Sequence, residues 1–240
     1  MPNMTARSVV LSVLLGAHPA IASSSELLRL TADFGIKEST MRVALTRMVG
    51  AGDLVRSAGG YRLSDRLLAR QRRQDEAMRP KVAPWHGYWQ VVIVTSVGAD
   101  ARDRAALRNA MREKRFSELR EGVWMRPDNI ELSLPPELSE RVRVLRGRDE
   151  EPAQLAGELW DLPAWVSEGE RLLDEMGRAA DVPDRFVVAA AMVRHLVTDP
   201  TLPPELLPDD WPGDRLRVAY HNFAADLAGR RETTQLAEVP

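Results

Sequence analysis

The chain has 240 residues and a mass of 26.8 kDa, 44% of them apolar and 28% charged, which supplies a buried core and excludes wholesale disorder. There is no cysteine, so disulfides, thiolate metal sites and a cysteine nucleophile are excluded. The net charge of −2 is unevenly spread: residues 1–80 carry 12 Lys and Arg against 7 Asp and Glu, and the balance beyond them is acidic.

A basic head on an acidic body suits a protein whose head alone meets a polyanion. All six tryptophans lie beyond residue 84, a second sign that head and body are built differently. No apolar run approaches the roughly 20 residues that a membrane-spanning helix needs. The opening MPNMTARSVVLSVLLGA reads as an amphipathic helix rather than a signal peptide, and a cytoplasmic location is expected.

In the head, Thr5 can cap a helix in which Val9, Val10, Val13 and Leu14 recur at helical spacing and which closes near Gly16. Ser23–Ser25 precede a second helix that ends near Phe34-Gly35, and a third is predicted from Glu38 to Val49, stopped by Gly50 and Gly52. Leu54-Val55-Arg56 and Tyr61-Arg62-Leu63 flank Gly59-Gly60 as a hairpin. Helix, helix, turn, helix, hairpin is the order of a winged helix-turn-helix.

Asp65–Met78 reads as a charged helix, followed by a linker between Pro80 and Pro84. A β-rich run over Tyr88–Val97, a helix over Arg102–Lys114 and strands at Gly122–Met125 and Val142–Leu145 suit a small ferredoxin-like α/β domain. From Glu151 the pattern is helical, with a last helix from about Asp214 to Gly229 and a frayed tail after Arg231. The chain is therefore expected to be α+β, divided into a winged helix-turn-helix (1–64), a helix and linker (65–84), a ferredoxin-like central and dimerisation domain (85–150) and a helical C-terminal domain (151–240).

Projected at 100° per residue, the third helix places Met41, Ala44, Leu45 and Met48 on one face. The opposite face collects Ser39, Thr40, Arg42, Val43, Thr46 and Arg47, with no acidic residue among them. Guanidinium groups, hydroxyls and one methyl-bearing side chain are the groups that meet phosphates, guanine edges and a thymine methyl in the major groove. Arg56 and Arg62 flank the hairpin tip and could reach phosphate or the minor groove. One such head covers a half-site, so a dimer on a palindrome is the economical arrangement. Three-helix motifs also serve in protein binding, so the residues alone leave an adaptor that does not use DNA as the alternative.

The stretches TARSVVLSVLLG and LLRLTADFGIKESTMRVALTRMVGAGDLVR followed by GGYRLSD resemble the N-terminal domain of the PaaX-type repressors of phenylacetate catabolism. Trp85-His86-Gly87-Tyr88-Trp89 is similar to that family's W-D-G-x-W motif, with His86 in place of Asp, and DPTLPPELLPDDWPG is similar to its C-terminal signature. The resemblance implies a cytoplasmic, dimeric transcriptional repressor of a catabolic operon, with a winged helix-turn-helix, a ferredoxin-like middle and a helical C-terminal domain. It also implies release by a small-molecule effector, an aryl- or acyl-CoA such as phenylacetyl-CoA. Such a ligand needs cations for its phosphates and an aromatic wall for its acyl group. Trp124, Arg126, Arg194, His195, Trp211 and Tyr220 are the effector-binding candidates.

Enzymatic readings find little support. The four histidines are scattered, and neither a phosphate-cradling G-x-x-x-x-G-K-[ST] nor a G-x-S-x-G is present. The middle domain resembles the CRISPR-associated Cas2 nucleases, which hold metal on an Asp at the end of the first strand. Here that strand ends in Thr95 and Ser96, with Asp100 further on, so a metal-dependent nuclease is disfavoured and no metal or cofactor is expected.

Overall fold

A computed structural model describes residues 5–96 and 100–236. It divides the chain into two compact units that interleave along the sequence: residues 1–79, 169–197 and 213–240 form one, and residues 80–168 and 198–212 the other.

The first unit begins with α1 (Ala6–Leu15), capped by the Thr5 hydroxyl, which accepts from the Ser8 backbone N–H at 3.2 Å. Ala6, Val9, Val10, Leu11, Val13, Leu14 and Leu15 are buried while Arg7 and Ser8 are exposed, so α1 is apolar over most of its circumference and keeps a polar strip at its start. A short strand, β1 (Ile21–Ala22), precedes α2 (Ser24–Ala32), and it has no signature of its own in the sequence. Ser23 and Glu26 form a capping box: the Ser23 hydroxyl accepts from the Glu26 N–H at 3.2 Å and the Glu26 carboxylate accepts from the Ser23 N–H at 2.7 Å.

Phe34 and Gly35, the latter at φ +64°, form the turn into α3 (Glu38–Gly50), and Gly52 at φ +71° leads into β2 (Leu54–Ser57). With β3 (Gly60–Leu63) these strands make an antiparallel sheet in the order β1-β3-β2. The elements follow the winged helix-turn-helix order. Next, α4 (Asp65–Met78) packs on α1. Its buried Gln71 amide donates to the carbonyls of Leu14, Leu15 and Ala17, closing the C-terminal end of α1.

In the second unit, β4 (Trp89–Val94), α5 (Ala101–Glu113), β5 (Ser117–Arg120), β6 (Val123–Pro127), the short α6 (Pro136–Ser139) and β7 (Val142–Gly147) form a four-stranded sheet in the order β5-β6-β4-β7. Every neighbouring pair is antiparallel, the order of a ferredoxin-like domain, with its second helix reduced to one turn. Val97, the expected end of the first strand, lies outside the described residues. One face of the sheet, through Val92 and Trp124, packs on Leu107, Met111 and Phe116. The other, through Trp89, packs on Leu155, Ala156 and Leu159 of α7 (Pro152–Leu159) and on Leu202 and Leu206, the latter in a 3-10 turn over Pro204–Leu206.

The loop carrying DPTLPPELLPDDWPG is tied into this unit by hydrogen bonds. Arg115 donates to the Asp199 carbonyl at 2.9 Å, Asn129 donates to the Thr201 carbonyl at 3.0 Å, and the buried Asp199 carboxylate accepts from the Thr201 N–H at 2.8 Å. Trp211 stacks on Trp165 with ring centroids 4.0 Å apart.

The chain reaches the first unit again within α8 (Leu162–Arg178) and supplies it with α9 (Val182–Val197) and α10 (Gly213–Leu236). The helix α10 runs through Gly229 and past Arg231, where a frayed tail is expected from sequence. A single glycine costs a helix only about 1 kcal/mol, and no proline follows until Pro240, outside the described residues. Phe186, Ala189 and Phe223 of these helices join the same core as Val9, Leu14, Met41 and Leu45. Phe186 meets Phe34 edge-on, at 5.1 Å between centroids, so the turn between α2 and α3 rests on α9.

Gly60 has φ +122°, and a Cβ there would lie 2.3 Å from the Ala22 carbonyl oxygen. Gly60→Ala is expected to lower stability by about 2–3 kcal/mol through backbone strain and steric overlap, read as a lowered midpoint in urea unfolding followed by circular dichroism.

Candidate nucleic-acid interface

The helix α3 buries Met41, Leu45 and Met48 and exposes Ser39, Thr40, Arg42, Val43, Thr46 and Arg47. Val43, at 50% exposure, stands free of the core between the polar groups. Burial of one side by a four-residue apolar stripe is what turns the other side outward.

The exposed groups differ in readiness. Arg42 donates to Glu38 one turn back, with its terminal nitrogen at 2.5 Å, so an acidic residue does lie against the exposed face. Both partners are more than 60% exposed, and such a pair is worth about 0.3–0.5 kcal/mol. The Thr46 hydroxyl donates to the Arg42 carbonyl at 3.0 Å. Arg47 has no hydrogen-bond or ion-pair partner among the described residues.

A groove of about 590 Å³ runs between the start of α1 and α3, lined by Thr5, Arg7, Ser39, Thr40, Val43 and Arg47 among others. Arg7 is a cation that the sequence reading left unassigned. Its position in the first turn after the Thr5 cap, within the basic head of the chain, is the signal that could have marked it. It donates twice to the buried Asp53, at 2.9 and 3.0 Å, and Arg66 of α4 donates to the other carboxylate oxygen at 2.5 Å. Asp53 follows α3 directly, so this ion pair fixes the start of α1 and the start of α4 to the end of α3.

The two wing arginines do not act together. In the hairpin Arg56 pairs with Tyr61 and Val55 with Arg62, so Arg56 and Arg62 leave opposite faces of the ribbon. Arg56 is exposed and has no ion-pair partner among the described residues. Arg62 is half-buried, donates to the Leu63 carbonyl at 3.4 Å and lies 3.8 Å from Asp65.

The effector candidates fall into both units. Arg126, in β6, is buried and fully engaged: it donates to the Gln90 side chain at 3.0 Å, to the Lys114 carbonyl at 2.7 Å and to the Ile130 carbonyl at 2.8 Å, and it lies over the Phe116 ring. Burial pushes its guanidinium down to about 10, opposed by the nearby Asp128. It therefore stays charged at neutral pH as an internal brace. Trp124 is buried two residues earlier and lines a cavity of about 280 Å³ with Arg104, Arg108 and Arg141. Trp211 is occupied by its stack on Trp165.

Arg194 and Tyr220 belong to the first unit, where they line one cavity; His195, the neighbour of Arg194, is not part of that lining. Burial raises the Tyr220 phenol above its usual range, helped by the nearby charge of Asp75. In the ferredoxin-like domain, Asp100 caps α5, its carboxylate accepting from the Asp103 N–H at 2.8 Å. No cluster of three or more metal-ligating side chains occurs among the described residues.

Three family models match in chain order: PaaX-like protein over residues 5–67, PaaX protein central Cas2-like domain over 82–155, and PaaX-like protein C-terminal domain over 164–234. The chain belongs to the PaaX family. PaaX is a family of transcriptional regulators. Among solved structures the chain is similar to one described as uncharacterized protein Rv0674 from Mycobacterium tuberculosis, at 71% identity over 96% of this chain and 99% of that chain, with a TM-score of 0.85. No curated protein matches. Among the described residues of this PaaX-family protein, no helix is long and apolar enough to cross a membrane.

Replacing Asp53 by Ala removes a buried carboxylate from two arginines that are themselves more than half exposed. The expected loss is about 1–2 kcal/mol, below the 3–5 kcal/mol of a fully buried pair because water rescues the freed cations. Chemical unfolding of the variant checks it.

Proposed function

We propose that this PaaX-family protein is a sequence-specific DNA-binding repressor of a catabolic operon, released by a small-molecule effector. The observation that carries the reading is α3: a helix anchored on one side by Met41, Leu45 and Met48, with guanidinium, hydroxyl and methyl groups on the free side. Ser39, Thr40, Arg42, Val43, Thr46 and Arg47 enter the major groove, Arg7 and the start of α1 meet the flanking phosphates, and Arg56 at the wing tip reaches the next backbone. Arg62, on the other side of the ribbon, braces the wing instead.

The protein acts as a homodimer on a palindromic operator. In support, β7 is an edge strand with Val144 and Leu145 exposed at 42% and 48%, an unpaired edge that a second copy can extend. The effector is an aryl- or acyl-CoA such as phenylacetyl-CoA, in keeping with the phenylacetate catabolism of the family, and the protein works in the cytoplasm without a catalytic role.

Fluorescence anisotropy with duplexes from the promoter of its own operon tests this. Arg47→Ala is expected to weaken the selected duplex by about 1–3 kcal/mol and to relax its preference over a scrambled one. Arg7→Ala is expected to weaken both duplexes alike and to reduce the dependence of log affinity on log salt by about 0.9. Equal retention of both duplexes by the unmodified protein overturns the reading.

A further inference from the structure

The cavity that collects Arg194 and Tyr220 has a volume of about 130 Å³ and lies wholly within the unit that carries the winged helix, between the end of α1 and the helices α4, α9 and α10. Its wall is largely apolar, with Val13, Phe186, Val193 and Phe223 among the side chains that form it. Besides the Ser12 hydroxyl of α1, four polar side chains break that wall: Arg70 and Gln74 from α4, Arg194 from α9 and Tyr220 from α10. None of the four has a side-chain hydrogen bond or ion pair with a protein group among the described residues.

Several other cations of this unit are matched. Arg7 and Arg66 hold Asp53, Arg185 pairs with Asp226 at 3.1 Å, and Arg217 donates to the Ala77 carbonyl at 3.1 Å. Two unmatched guanidinium groups at the edge of one apolar recess are a receptor for an anion with an apolar body. An apolar cavity of about 150 Å³ holds one benzene ring, so the recess takes a single ring or a short acyl chain.

We propose that this cavity is the effector site: the apolar body enters between α1 and α9, and its negative charge is held by Arg70 and Arg194. That charge can be the carboxylate of a free acid or the phosphates of a thioester that extends into solvent past the two arginines. Tyr220 and Gln74 supply hydrogen bonds to the carbonyl. The inference rests on the repressor reading for its consequence only, because binding is a property of the protein alone.

The consequence follows from Phe186. Its ring lines the cavity and also makes the T-shaped contact with Phe34 in the turn between α2 and α3. On the opposite side, Val13 and Gly16 line the cavity while Val9 and Leu14 of the same helix belong to the core that seats α3. A ligand there touches both supports of α3 and biases its placement by as much as its affinity differs between the two placements.

Isothermal titration of the full-length protein with phenylacetate, phenylacetyl-CoA and CoA tests the site. At least one acyl-bearing ligand is expected to bind, and CoA alone is not. Arg70→Ala and Arg194→Ala, both at exposed positions, should each weaken that ligand by about tenfold or more without moving the thermal midpoint, and Ala190→Trp, which fills the recess, should abolish it. Binding of phenylacetate assigns the charge to a carboxylate, and binding of the thioester alone assigns it to the phosphates. The proposal is overturned if no acyl-bearing ligand binds, if CoA binds as tightly as its thioester, or if the arginine variants bind like the unmodified protein. Titration without DNA keeps its failure separate from a failure of the operator assay.

Discussion

The helix α1 is the constraint on which the rest of the head depends. A ten-residue helix that buries seven of its side chains must be covered over most of its surface, and three sets of partners are needed to do it. The stripe of α3 covers one side, α4 another through Leu67 and the Gln71 amide, and Phe186, Ala189 and Phe223 from the C-terminal helices complete the core. Burial of this kind contributes about 25 cal/mol for each Å² of apolar surface removed from water. A winged helix-turn-helix cut off at residue 64 would leave part of that surface uncovered. The far end of the chain is therefore a structural part of the candidate DNA-binding unit.

Much of this fold was legible in the sequence because the signals are local. The Thr5 cap, the apolar stripe at Met41, Leu45 and Met48, the Gly59-Gly60 turn and the β-rich run from Tyr88 each act within a few residues. Two short strands escaped for the same reason in reverse. Ile21–Ala22 and Ser117–Arg120 owe their extended form to neighbours paired from elsewhere, Arg62 and Tyr61 in one case and β6 in the other. The opposite facing of Arg56 and Arg62 was open to derivation: a two-residue turn at Ala58-Gly59 sets 56 against 61.

The exposed face of α3 was legible as a helical projection, since exposure of Ser39, Thr40, Arg42, Val43, Thr46 and Arg47 follows from the burial of the opposite stripe. The effector candidates were not, because sequence shows which residues are aromatic or cationic and cannot show which have already found partners. Arg126 and Arg194 look alike in composition. In the structure the first has a partner for every nitrogen and holds three segments of one domain together, whereas the second stands at the edge of an apolar recess. A guanidinium that is fully engaged internally is held by the fold, and its removal would leave buried carbonyls without donors. An unmatched one at a cavity can be given to a ligand without loss inside the protein.

The same accounting applies to Glu38 at the start of α3. A carboxylate beside a phosphate backbone is repelled, yet its place in the first turn of the helix is favoured by the helix dipole. Its pairing with Arg42 costs a base contact only the few tenths of a kcal/mol that an exposed pair is worth, against about 1–3 kcal/mol for a good bidentate contact to guanine. Specific base contact therefore outweighs the pair and nonspecific phosphate contact barely does. If α3 reads DNA as proposed, this arithmetic makes Glu38 weaken indiscriminate binding more than binding to the correct site, so that a single acidic residue on a basic head raises selectivity at the expense of affinity.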